Sequence, residues 1–253
     1  LKNLDTPVVL VGAQRSSDRP STDAAVNLKS AVEFIKEGVP GVFVCMHHSS
    51  GDDTVAVHRG TRVRKMHTSR RDAFRSIGSR PFANVDVETG DVEINKENEI
   101  SEGEPVLKDS LEKNVGFFKV VPGMDKKVLE SYRDHEGLVI EGTGLGHMPV
   151  DSFDEHTEHH DEILEAVDEM SEDSVVCMSS QCIYGRVNMK VYDAGVKLSE
   201  AGVISAGSML PGTAYVKLMW SLGNSDSKQE AMELFGKNIA GEFVEREDAD
   251  GFM

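Results

Sequence analysis

The run Val8-Val9-Leu10-Val11, closed by Gly12, sets the strongest constraint on what this chain folds into. Consecutive branched apolar residues without polar alternation suit a strand buried on both faces of a parallel sheet. A polar loop, Ala13 to Ser21, then leads to a helix. Thr22 or Asp23 can cap its start, Leu28, Ala31, Val32 and Ile35 repeat at i, i+3, i+4, i+7, and Gly38 ends it. A second buried strand is expected at Gly41 to Met46. Strand, helix and strand in this order make a βαβ unit. Ligands of such units gather at the carboxyl ends of strands, so the loop Gly12 to Ser21 is a candidate pocket wall, with an ordinary polar connection as the alternative.

Further along, Thr54 to His58 and Arg62 to Arg64 read as a hairpin around Gly60 that delivers Lys65 at its end, and Thr68 or Ser69 can cap a short helix to Phe74. Val85 and Val87, then Val92 and Ile94, alternate with acids about the turn Thr89-Gly90-Asp91, predicting a second hairpin. Residues 95–111 are charged and poor in apolar side chains, with Gly103 and Pro105, as expected of a linker. Strands at Val115 to Val121, Gly137 to Glu141 and Ser174 to Met178 alternate with helices carrying Val128, Leu129 and Tyr132, then Ile163, Val167 and Met170. Two closing helices follow, one from Pro211 and one opened by a Ser227-x-x-Glu230 capping box. The expected fold class is α/β with parallel sheets: a lobe over 1–94, the linker, a smaller α/β lobe over 112–238, and an acidic tail over 239–253.

The charge pattern singles out one stretch. Arg59, Arg62, Arg64, Lys65, Arg70 and Arg71 crowd together in a chain of formal net charge -17. Gathered around Lys65, those cations would favour its neutral amine, able to take a proton; a solvated basic face, or Arg70 and Arg71 anchoring neighbouring acids, is the alternative. With 44 acidic against 27 basic side chains, an extended nucleic-acid surface is disfavoured, and the excess suits solubility at high salt. Cys45 and Cys177 end apolar runs and are expected as buried structural thiols in a reducing interior, with Cys182 the third cysteine. No apolar run reaches the ~18 residues of a membrane span and no signal peptide opens the chain, so a soluble, cytoplasmic protein without membrane contact is expected.

Gly142, Gly144 and Gly146 in GTGLGH lack the spacing of a dinucleotide fingerprint and are expected to form a tight turn. His156, His159 and His160 have helical metal-ligand spacing but suit a solvated helix start better, and no metal is assigned. His47 and His48, adjacent at a strand end, point to opposite faces and cannot serve one site together.

Three segments carry a resemblance: VVLVGAQRSSDRPSTDAAVNL from Val8, VRKMHTSRRDAF from Val63, and SQCIYGRVN with MLPGTAYVKLMW between Ser180 and Trp220. Together they resemble the asparaginase/glutaminase family over the chain to about Gly236. The second resembles, more narrowly, the D subunits of archaeal glutamyl-tRNA(Gln) amidotransferases. The resemblance implies an asparaginase-like fold and a glutaminase. Its ammonia would go to a partner E subunit, which amidates Glu on tRNA(Gln). The hydrolysis would need no cofactor, with ATP and magnesium acting only at the partner, and shared sites would imply at least a homodimer. In the family a Thr nucleophile is activated by a second Thr, an Asp and a Lys. Lys65 matches that lysine, Ala13, Gln14 and Arg15 match the loop bordering the substrate, and Asn188 matches a segment reaching toward a neighbouring subunit. The TGGT-type and TDT motifs that hold the other three catalytic residues occur nowhere in these 253 residues, so a partial chain is expected, inactive by itself. A free-standing asparaginase and a non-catalytic assembly remnant are the alternatives.

Overall fold

A computed structural model describes residues 3–95 and 104–248, and two compact units emerge: Leu1–Lys108 with Ile239–Met253, and Asp109–Asn238. In the first unit the order is β1 (Pro7–Val11), α1 (Ala24–Lys36), β2 (Gly41–His47), β3 (Thr54–Arg59), β4 (Val63–Lys65), β5 (Phe74–Ser76), β6 (Ala83–Asp86) and β7 (Val92–Ile94). The main sheet runs β1-β2-β3-β6-β7. Strands β1 and β2 are parallel, with Val8 opposite Val42, as a βαβ unit requires, whereas β3, β6 and β7 add on antiparallel. The expected β6–β7 hairpin forms, turning through Gly90 at φ 81°.

Two local expectations are corrected. β1 is not buried on both faces: Val8 and Leu10, which share one face, are 38 % and 53 % exposed, while Val9 on the other face packs against the core. The hairpin around Gly60 and the short helix to Phe74 are replaced by a different pairing, in which β3 joins the main sheet and β4 pairs with β5, Lys65 opposite Phe74. The 67–73 segment is too short and too polar to pack a helix. It turns instead about His67, whose Nδ1 accepts from the backbone N–H groups of Ser69 and Arg70, both at 3.1 Å.

Helix α1 forms where expected and is closed by Gly38 at φ 68°, but it buries another face. Asn27, Ser30, Ala31 and Phe34 point inward, while Leu28, Val32 and Ile35 are 58 %, 46 % and 43 % exposed. The core beneath it is a trio of rings, Phe34, Phe43 and Phe82, with Phe34–Phe43 and Phe43–Phe82 centroids 5.0 Å and 4.8 Å apart.

The second unit contains β8 (Val115–Lys119), α2 (Lys126–Glu130), β9 (Gly137–Gly142), α3 (His159–Asp173), β10 (Val175–Ser180), α4 (Asp193–Glu200), β11 (Ile204–Ser205), α5 (Pro211–Gly223) and α6 (Lys228–Phe235). Its sheet, β11-β10-β9-β8, is parallel throughout, the α/β layer expected from the alternation. Ile163, Val167 and Met170 of α3 are buried against it, and Ser227 caps α6 by accepting from the Glu230 N–H at 3.2 Å. The Glu230 carboxylate reaches back to the N–H of Asp226 rather than of Ser227, one residue off the standard capping box. Helix α4 and strand β11 have no counterpart among the expected elements, being only eight and two residues long.

Residues 96–103 of the expected linker and 249–253 of the expected tail lie outside the described residues. The part of the tail that is described packs onto the first unit. Thr61 Oγ1 donates to the Ala240 carbonyl at 2.9 Å, Arg62 Nη1 to the Glu242 carbonyl at 3.2 Å, and the Arg80 N–H to Asp248 at 2.8 Å.

Candidate active site

The loop that leaves β1 is held from below by the buried polar face of α1. Asp23, 1 % exposed, makes no capping bond to its helix; its carboxylate accepts from the backbone N–H groups of Gln14 and Arg15 at 3.0 Å and 2.9 Å. Burial alone would raise its carboxyl, but these two bonds, with His47 nearby, hold it below the ordinary carboxylate range. One turn on, Asn27 Nδ2 donates to the Gly12 carbonyl at 3.0 Å. Arg15 Nη1 bonds Ser21 Oγ at 2.7 Å, closing the loop on itself. Ala13 and Arg15 are thereby displayed at the surface and Gln14 is half-buried.

The hairpin β4–β5 presents Lys65, exposed, with its Nζ 5.9 Å from the ring centroid of Phe74. The neighbouring cations do not gather around it. Arg62 is buried and donates through Nε to the Ile77 carbonyl at 3.0 Å. Arg70 forms a two-pronged pair with Asp72, 2.8 Å on each side, and Arg75 meets the same carboxylate at 2.5 Å. The paired Arg70 guanidinium outweighs the burial of Asp72 and lowers its carboxyl. Arg71 pairs with Asp52 and donates to the Ser21 carbonyl at 2.8 Å. Crowding of cations around the lysine is thus corrected for most of the cluster: Arg62 and Arg71 have acceptors elsewhere and Arg70 shares Asp72 with Arg75, the anchoring role that was the alternative, while Arg64 is exposed beside Lys65 in sequence. Among the described residues Lys65 has no carboxylate partner.

Loop and hairpin are joined by the bond from Arg71 to the Ser21 carbonyl, so Ala13, Gln14, Arg15 and Lys65 lie on two connected segments of one unit. Asn188 belongs to the second unit, exposed, with its N–H on the Leu145 carbonyl at 2.8 Å. The glycine turn is there too: a Cβ on Gly142 would fall 2.8 Å from the His147 carbonyl oxygen, and Gly146 takes φ 101°. Cys45 and Cys177 are buried as expected; burial pushes the Cys45 thiol up to about 12 and Cys177 higher still, leaving neither as a nucleophile. Sequence reasoning missed the supports of the site, namely Asn27, Asp52, and Asp23 in its loop-holding role. The available signal was the pair Asp23 and Asn27, polar at i and i+4 on the face that carries Phe34.

Residues 1–100 match the N-terminal asparaginase domain and residues 114–235 the glutaminase/asparaginase C-terminal domain. The thermostable L-asparaginase from Thermococcus kodakarensis superposes with a TM-score of 0.85 at 33 % identity, covering 96 % of this chain and 69 % of that one. The chain belongs to the glutaminase/asparaginase family. Within the family, the D subunit of the glutamyl-tRNA(Gln) amidotransferase from Pyrococcus furiosus is 49 % identical over 248 residues, and its counterpart from Pyrococcus abyssi 47 % over 249. Each alignment takes in 96 % of this chain but 54 % of the relative, so the chain spans about half the length of the curated relatives it matches. Among the described residues of this family member, no helix is long and apolar enough to cross a membrane.

Proposed function

We propose that this chain is the lysine-bearing part of a glutaminase that releases ammonia for the conversion of Glu-tRNA(Gln) to Gln-tRNA(Gln). The observation that carries the proposal is Lys65. It stands exposed at the end of β4 without a carboxylate partner among the described residues, while Arg62, Arg70, Arg71 and Arg75 are tied to acceptors elsewhere. An amine left free in this way can relay the proton of a hydroxyl nucleophile. The similarity to the amidotransferase D subunits of two Pyrococcus species supports the same reading.

In this reading Ala13, Gln14 and Arg15 border the amide substrate, glutamine, and Asn188 reaches toward a neighbouring copy in a homodimer. The nucleophilic threonine, second threonine and aspartate come from residues outside these 253. The ammonia passes to an E-type partner subunit, which binds tRNA(Gln) and uses ATP and magnesium; the hydrolysis itself uses no cofactor. The setting is the cytoplasm. The likeness to the T. kodakarensis L-asparaginase favours a second reading, hydrolysis of asparagine by a free-standing enzyme.

The test joins this chain to a segment carrying the TGGT-type and TDT motifs and measures ammonia released from glutamine and from asparagine. Release from glutamine is expected, with Lys65→Ala lowering it by roughly 10²-fold or more. Full activity of the 253 residues alone, or an unchanged rate in Lys65→Ala, overturns the proposal, and a preference for asparagine selects the second reading.

A further inference from the structure

His47, the last residue of β2, is fully buried between the two segments that form the candidate site. Its Nδ1 lies 2.6 Å from Asn27 Oδ1 and its Nε2 3.0 Å from Asp52 Oδ1. The Asn27 amide is already committed: Nδ2 donates to the Gly12 carbonyl at 3.0 Å and to Asp23 Oδ2 at 3.2 Å, which leaves Oδ1 as the acceptor facing the ring. Asp52 is likewise an acceptor, taking the Arg71 guanidinium on the same oxygen. An imidazole with an acceptor before each nitrogen satisfies both only by donating from both.

From this geometry we infer that His47 is a positioning residue, a double-donor strut that fixes the loop 12–22 relative to the hairpin bearing Lys65. On one side it braces Asn27, and through Asn27 and Asp23 the backbone of Gly12, Gln14 and Arg15. On the other it braces Asp52, and through Arg71 the hairpin and Ser21. The circuit closes, because Ser21 Oγ is held by Arg15 of the same loop. The charged groups facing the strut are Asp23 from the start of α1, Asp52 from the β2–β3 turn, and Arg71 from the hairpin tip behind Asp52. That the loop and hairpin are two walls of an amide site rests on the function proposed above; the strut itself does not.

The experiment uses this chain. Nitrogen-15 NMR of the His47 ring at neutral pH is expected to show both nitrogens protonated, and a resonance from an unprotonated ring nitrogen would overturn the strut without any variant. In His47→Gln, which can donate to only one of the two acceptors, amide exchange at Gln14 and Arg15 should quicken on the order of tenfold, the equivalent of one net buried hydrogen bond. Unchanged exchange there refutes the brace. Asp52→Asn should quicken the same amides, and the double variant should do no more than either single one; simple additivity would mean that the two residues act separately. None of these measurements reads amide hydrolysis. If the strut holds while Lys65→Ala spares ammonia release, the function fails and the positioning role stands; if the strut fails while Lys65→Ala abolishes release, the reverse follows.

Discussion

His58 lies in β3 under the Lys65 hairpin, 1 % exposed, with Nδ1 2.8 Å from Ser76 Oγ on β5 and no partner for Nε2 among the described residues. Burial first, then the neighbouring His48 and Arg75, hold its imidazole down from 6.5 to about 3. In the unfolded chain the ring takes a proton near its ordinary value, while the folded chain refuses it until far lower pH. The contribution to stability is therefore whole above 6.5, falls as pH drops below that value, and levels off near 3. Between these limits the slope is about 1.4 kcal/mol per pH unit, so roughly 2.5–3 kcal/mol disappears between about pH 7.5 and about pH 4.5. Urea unfolding across that range measures it, with His58→Gln as the comparison, since glutamine keeps a group for Ser76 and does not titrate. The variant is expected to be less stable at neutral pH but to lose stability more slowly on acidification, by about one proton's worth of slope. Parallel pH profiles for the two proteins would show that His58 is not held neutral, and the account of the hairpin's underside would fail.

Two further substitutions test the packing. Phe34→Ala should cost about 3–5 kcal/mol by denaturation, whereas Leu28→Ser and Val32→Thr should each change stability by no more than ~0.5 kcal/mol, the opposite of what the apolar periodicity of α1 suggests. Gly142→Ala should cost about 1–3 kcal/mol because its Cβ meets the His147 backbone, and more than Gly144→Ala, whose Cβ meets nothing within 4 Å and bears only the strain of φ 51°; equal thermal shifts for the two would refute the close approach.

What the sequence made legible follows from period and length. The second unit was readable because each of its longer strands is a short, mostly apolar run and α3 keeps a clean 3.6-residue stripe. The same rule misplaced the face of α1, because the inward residues Asn27 and Ser30 are not the apolar ones that the stripe counts. Lys65 was legible through the resemblance of its segment, and the cation crowding around it was not resolvable from spacing, since Arg70 and Arg71 find acids two and nineteen positions away. His47 was legible only as one of two adjacent histidines pointing apart; its partners, Asn27 and Asp52, are brought to it by the fold.

The inverted face of α1 has one physical cause that also explains the site. A loop at the end of a parallel strand leaves backbone N–H and carbonyl groups with no ladder to join, and a wall of apolar side chains beneath it would leave them unpaired at a cost of about 1–3 kcal/mol each. Asp23 and Asn27, one turn apart at the start of the helix that follows, supply an acceptor for Gln14 and Arg15 and a donor for Gly12. Ala31 and Phe34, one and two turns further along the same face, need no such partners and fill the ring core. The helix therefore changes chemistry along its length, polar where it meets the loop and apolar where it meets the sheet. The stripe of Leu28, Val32 and Ile35 is left on the outside, an apolar surface to which neither the loop nor the described core has any claim.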